Sequence, residues 1–418
     1  MSPTVEEHLI PDSTVHSPEP LVTTPDRWHA LLGKEPLPAA VVDLVAMAAN
    51  RRAVVQAVGE NPVTIRLSTR SMRSTALLRR LLMDPTAITA EGPPDPLQGL
   101  ACDSVAETAA LIQLGFDDIL LHAPICLAAD AERAAKMVAE GARVVATVDC
   151  REHVDLLSAA AAEHEVEFDV CIDVDVSWQP AAEVRFGRLR SPIGDVSSAR
   201  ELGLYVGETD GVRVVGVSAW ESAVADSRRP GARRWWTGLF HGWMHTRASA
   251  LAADRRVAVV ESLKSDGHAI SIVNGGSSAT LPTTVADGSI SEITVGAAFL
   301  CPTRCDSLPL ELTPAVHFAT RVCRIPDSEH VVVRGAGYGE PARVAWPGGL
   351  RHVPGERLST HQTPLLVSGA TPALGSPVVF RPAEVAPTFD RFEEVLLVDE
   401  TGIVERATTY RGIGISDR

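Results

Sequence analysis

The segment Val63-Thr64-Ile65-Arg66-Leu67-Ser68-Thr69-Arg70-Ser71-Met72-Arg73 reads as a buried strand that runs into a polar, cationic turn. In an alternating β/α chain the carboxyl ends of parallel strands form the ligand-facing mouth, so Arg70 and Arg73 are candidate anion ligands. Arginine stays protonated at any workable pH. It pairs with phosphate or carboxylate but does not act as an amine nucleophile. Asp173 and Asp175 follow a two-residue period that puts both on one face of a strand end, where paired carboxylates hold a metal or act as acid and base. The blander alternative is that one of them pairs with Arg185, Arg188 or Arg190. His122 and Glu221 end two further strands and are candidate proton carriers, although a lone histidine is more often structural. Asn274-Gly275-Gly276-Ser277-Ser278 is a small-residue turn after a strand and offers backbone amides to a phosphate, while Asn-Gly is also a common turn. The glycine of Thr294-Val295-Gly296-Ala297 lies at the next strand end.

The elements that must position these residues alternate along the chain. Strands are expected at 39–44, 63–70, 99–102, 118–121, 143–148, 168–174, 212–219 and 269–273, with helical spacing in the segments between them. Eight such units in about 260 residues match a (β/α)8 barrel. A doubly wound sheet has the same local pattern at a less suitable size. The proline-rich stretch 84–96 reads as a loop insertion. Beyond residue 300, short strands at 331–334, 365–367, 377–380 and 394–398 lie between Gly/Pro turns, which is the texture of a β domain. The expected division is an N-terminal segment 1–35 that joins the β domain, a barrel 36–300 and a C-terminal β domain 301–418.

Composition narrows the class. With 418 residues, 45% hydrophobic and 22% charged, the chain is of soluble α/β type, and its formal net charge of -15 disfavours nucleic acid as a partner. No signal peptide or membrane span is expected, which points to the cytoplasm. Seven cysteines lie mainly in apolar runs and read as reduced thiols, and Cys301-Pro-Thr-Arg-Cys305 lacks a second Cys/His pair for a metal site. The cluster Trp235, Trp236, His241, Trp243 and His245 suits packing or a dimer contact. Only three lysines are present, Lys34, Lys136 and Lys264, and none ends a strand.

Ser68-Thr69-Arg70-Ser71-Met72-Arg73 resembles the cofactor-lysine strand of the fold-type III pyridoxal-phosphate (PLP) proteins, the alanine racemase and D-threonine aldolase group, and among them the actinobacterial amino acid deaminase/aldolase proteins. In that strand Arg70 holds the lysine's place. The resemblance extends to Asn274-Gly275-Gly276-Ser277 and Gly296 as a phosphate site, to Trp220-Glu221 as an aromatic-Glu pair lining the pocket, and to Arg190-Ser191-Pro192 after an acidic strand. It implies a barrel followed by a β domain, a homodimer, and an amino acid or related small anion as ligand, with Arg73 and Arg190 binding it. It also marks three losses: Arg70 for the aldimine lysine, Leu300 for a phosphate-side tyrosine, and Pro382 for a metal-binding histidine. Proline's side chain cannot ligate a metal, so none is expected. PLP is expected to bind, if at all, without an aldimine. Three readings stay open: an enzyme using Arg70, Asp175, Glu221 or His122, a silent homologue that binds a ligand or partners an active relative, and a PLP-dependent racemase, aldolase or deaminase.

Overall fold

The computed structural model describes residues 27–83, 95–181, 183–226, 235–338 and 342–415. Most of the N-terminal segment 1–35 and most of the proline-rich loop 84–96 therefore lie outside the described residues, as do the side chains of Trp235, Trp236 and His241. No helix among the described residues is long and apolar enough to cross a membrane.

In chain order the first eleven strands are β1 (Ala39–Asp43), β2 (Thr64–Ser68), β3 (Leu97–Cys102), β4 (Ile119–Leu121), β5 (Val144–Val148), β6 (Phe168–Asp173), β7 (Trp178–Ala181), β8 (Val184–Phe186), β9 (Val212–Ser218), β10 (Ile272–Gly275) and β11 (Glu292–Val295). Eight of these close into a parallel barrel in the order β10-β11-β2-β3-β4-β5-β6-β9. Such strands are covered by helices outside and packed side chains inside, so they read as near-continuous apolar runs, and every residue of β5 is buried. Leu120, Val145, Cys171, Val215 and Ile272 form a buried cluster of their own, one residue from each of five adjoining barrel strands.

The barrel count of eight is correct, but one member differs from the sequence expectation. Segment 39–44 is not a barrel strand: β1 pairs antiparallel with β12 and parallel with β18 in the β domain. The eighth barrel strand is β11, which pairs with β10 and β2. Both segments are short apolar runs next to helices, so periodicity alone does not tell them apart. Helix Leu44–Val58 follows β1 directly, with Asp43 accepting from the amides of Val45 and Ala46 as its N-cap.

The remaining strands, β12 (Val316–Arg324), β13 (His330–Val333), β14 (Arg343–Trp346), β15 (Leu350–His352), β16 (Thr363–Val367), β17 (Pro377–Arg381), β18 (Glu394–Asp399) and β19 (Gly402–Thr408), join β1 in a nine-stranded sheet. This β domain reaches back to the barrel mouth. Ser74 donates to the Thr408 carbonyl (3.0 Å), and the Tyr410 amide donates to the Arg73 carbonyl (2.8 Å). The last residue of β19 and Tyr410 just after it thus clamp the turn that follows β2.

Candidate functional site

A cavity of about 930 Å³ opens where the ends of β2, β3, β4, β9, β10 and β11 meet the segment after residue 300 and the β domain. Its charge is unusual for an acidic chain. Arg70, Arg188, Arg190, Arg304 and Arg343 line it, against Asp103 as the acidic lining residue, and no lysine does.

Arg70 sits in a short 3-10 turn, Thr69–Ser71, where Thr69 anchors the chain by donating its hydroxyl to the Ala101 carbonyl (3.0 Å). Gly296 permits this placement: a Cβ there would lie 2.6 Å from the Ser71 Cβ, so only glycine lets β11 approach the turn. Among the described residues neither Arg70 nor Arg188 has an acidic partner within ion-pair distance. The other three are engaged: Arg190 with Asp173 (3.6 Å), Arg304 with Glu384, and Arg343 with Asp306 (3.0 Å). The guanidinium groups of Arg188 and Arg190 lie over the Trp220 ring, 5.9 and 5.6 Å from its centroid. That contact orients two cations towards the cavity without neutralising them.

His122 lines the cavity with a shielded Nε2 that has no hydrogen-bond partner among the described residues. Burial, reinforced by Arg190, lowers its pKa to about 4, so the ring is neutral at physiological pH. Asp173 is also buried. Loss of hydration pushes its carboxyl up to about 6 against the pull of Arg190.

Several expected site residues face elsewhere. Asp175 does not line the cavity; it accepts from Arg185 (2.7 Å) and from the Ser177 amide (2.7 Å), which is the ion-pair alternative. Glu221 is buried behind the glycine turn rather than facing the cavity. It pairs with the fully buried Arg256 (2.7 Å) and accepts from the Gly276 amide (2.9 Å) and the Thr284 hydroxyl. Burial pushes its carboxyl up, but Arg256, Thr284 and Gly276 outweigh this and leave it below the ordinary carboxylate value. Arg73 is buried with a backbone φ of 47°, its guanidinium 5.8 Å from the Tyr410 ring centroid, and it does not line the cavity.

Asn274, Gly276, Ser277 and Gly296 do line the cavity, and Gly275 lies behind them. The amides that would cradle a phosphate are largely spent within the protein. Gly276 donates to Glu221, Ser277 to the Thr280 hydroxyl (2.9 Å), and Gly296 and Ala298 to the Ser278 hydroxyl (3.3 and 3.0 Å). The three lysines are remote: Lys136 is in the helix Ala128–Ala139, Lys264 near the end of the helix Trp235–Ser265, and Lys34 just after the helix Arg27–Leu32. The residues present therefore do not fit an internal PLP aldimine. Pro382, which the sequence resemblance sets against a metal histidine, accepts from the Thr303 amide, and nearby Glu384 is paired with Arg304.

Sequence reasoning missed Arg188, Arg304 and Arg343 as cavity residues. Arg343 comes from a β-domain strand, and its place at the mouth depends on how that domain meets the barrel.

A closed parallel barrel, a β domain that includes a strand from before the barrel, and a site at their junction define the fold-type III architecture. Solved structures with this fold include D-threonine aldolase from Filomicrobium marinum (TM-score 0.76, 19% identity, 91% of this chain and 96% of that one). D-threo-3-hydroxyaspartate dehydratase from Delftia sp. HT23 is similar with a TM-score of 0.69 and 16% identity, over 91% of this chain and 98% of that one. Alanine racemase from Clostridium difficile 630 is similar with a TM-score of 0.62 and 14% identity, over 90% and 99%. No protein-family profile matches the sequence, and no curated protein matches it.

Proposed function

We propose that the chain is a divergent member of this structural group that binds a small anion, a carboxylate or phosphate, at the barrel mouth and has lost aldimine chemistry. One observation carries the reading: five arginines and no lysine line the cavity, and Arg70 and Arg188 have no acidic partner among the described residues. The structural neighbours named above act, by their titles, on amino acids, whose carboxylate is an anion of the right size. Arg70 and Arg188 would take that charge. His122, held neutral, would accept a hydrogen bond from the ligand or take up a proton released from it. A homodimer belongs to the same reading and is checked by light scattering.

The test is calorimetric titration with inorganic phosphate and with amino acids, on the wild type and on Arg70→Ala. A hydrogen bond to a charged group contributes roughly 1.5–3 kcal/mol, so the variant should bind at least about tenfold more weakly. Titration with PLP followed by borohydride reduction should leave the intact mass unchanged. A reduced adduct on Lys34, Lys136 or Lys264 would overturn the loss of aldimine chemistry, and equal affinity of wild type and variant would overturn the role of Arg70.

A further inference from the structure

A second constellation lies at the barrel mouth, outside the arginine cavity. Asp149 follows β5, Cys150 is the N-cap of helix Arg151–His164, and His153 lies in that helix's first turn. One oxygen of Asp149, the Cys150 sulfur and a ring nitrogen of His153 all lie within 4.8 Å of one another. The sequence reason is short: residues i and i+3 of a helix start share a face, and the strand end places Asp149 beside them.

As the N-cap residue, Cys150 has only weak thiol contacts, with the His153 backbone and the Glu152 side chain, which a metal bond can replace. His153 Nδ1 lies 3.0 Å from an Asp149 oxygen and 3.4 Å from the Asp149 amide. The carboxylate calls for a protonated nitrogen and the amide for a lone pair, so a neutral ring satisfies only one of them. A cation between the nitrogen and the carboxylate removes that conflict with the oxygen. All three residues are only partly buried, so an ion has a path to them.

We propose that Asp149, Cys150 and His153 form a binding site for a borderline divalent cation of the zinc type. One oxygen, one sulfur and one nitrogen donor suit such an ion, which hard cations with all-oxygen preferences do not match. At ordinary bond lengths, tetrahedral ligand atoms are about 3.3–3.8 Å apart. The oxygen–nitrogen edge is already shorter than that, and small side-chain rotations bring the set into range. Three protein ligands leave the fourth position open to water or to a ligand oxygen. Metal binding at these residues is independent of the anion reading above.

Cobalt(II) is the probe, added to chelator-treated full-length protein. The expected result is one equivalent bound, with a near-ultraviolet thiolate-to-cobalt absorption band. Cys150→Ser should lose the band while its metal-free circular dichroism stays that of the wild type. His153→Gln should bind cobalt at least about tenfold more weakly. Should Cys150→Ser fail to fold, His153→Gln decides the matter by its affinity alone. Absence of stoichiometric binding in the wild type overturns the site. So does a band that survives in Cys150→Ser, which would point to a different thiol site such as the adjoining Cys301 and Cys305.

Discussion

At the scale of single residues, the decisive feature is a cation that cannot become a nucleophile. Arg70 lines the cavity at the end of β2, and its permanently protonated guanidinium suits charge pairing alone. A different residue sets the response to acid. His317, on β12, is buried with an Nδ1 that has no hydrogen-bond partner among the described residues and its ring 5.0 Å from the Trp28 ring, and burial, with Arg381 nearby, lowers its pKa to about 3. The unfolded chain takes up a proton near pH 6.5 that the folded ring refuses until about pH 3. Stability from this group is therefore complete above the unfolded value and is lost as pH falls through that window, by about 1.4 kcal/mol per pH unit at most. Urea denaturation across this range should show a shallower acid loss for His317→Gln than for the wild type.

At the scale of elements, the glycine turn after β10 is held from behind. Glu221 bonds Gly276, which needs its φ of 74°, and neutralises the buried Arg256. Removing the charge in Glu221→Gln leaves the buried Arg256 with only the longer Asp287 pair (3.3 Å), and losing the nearer partner of a buried charge costs up to roughly 3–5 kcal/mol. The expected outcome is a fall in unfolding free energy of up to that size, read as a lower urea midpoint with an unchanged denaturant slope. The turn itself was legible in the sequence because Asn274-Gly275-Gly276 has a local signature. Its support was not, since the Trp220-Glu221 pair marks a strand end without showing which way the carboxylate points. Segment 39–44 shows the same limit. Its apolar run predicts a strand, but membership of the β domain comes from pairing with β12 and β18, strands that begin at residues 316 and 394. Arg73 is legible as a cation after β2, whereas its left-handed backbone, which turns it under Tyr410, is a tertiary outcome.

At the scale of the whole molecule, the barrel builds the floor of the cavity and the β domain and linking segment complete its rim, through Arg304 and Arg343 among others. Barrel and β domain were both readable from strand spacing and turn composition, whereas the rim arginines depend on how the two meet. Tyr410, 1% exposed, is where the end of the chain meets the turn after β2. Truncating a buried aromatic costs roughly 3–5 kcal/mol. Tyr410→Ala should lower the melting temperature and weaken phosphate binding together, while Tyr410→Phe keeps the packing and should bind nearly as the wild type does. Calorimetry on both variants separates the packing from the hydroxyl.

The clamp on that turn also fixes when the site comes into being during synthesis. All eight barrel strands have been translated by Val295, yet Thr408 and Tyr410 follow only after the rest of the β domain. Domains fold broadly in the order in which they emerge, so a nascent barrel can close with its Arg70 turn still unanchored. Ligand competence then waits for β19 and Tyr410, and a chain stalled before them would carry a barrel with no finished mouth.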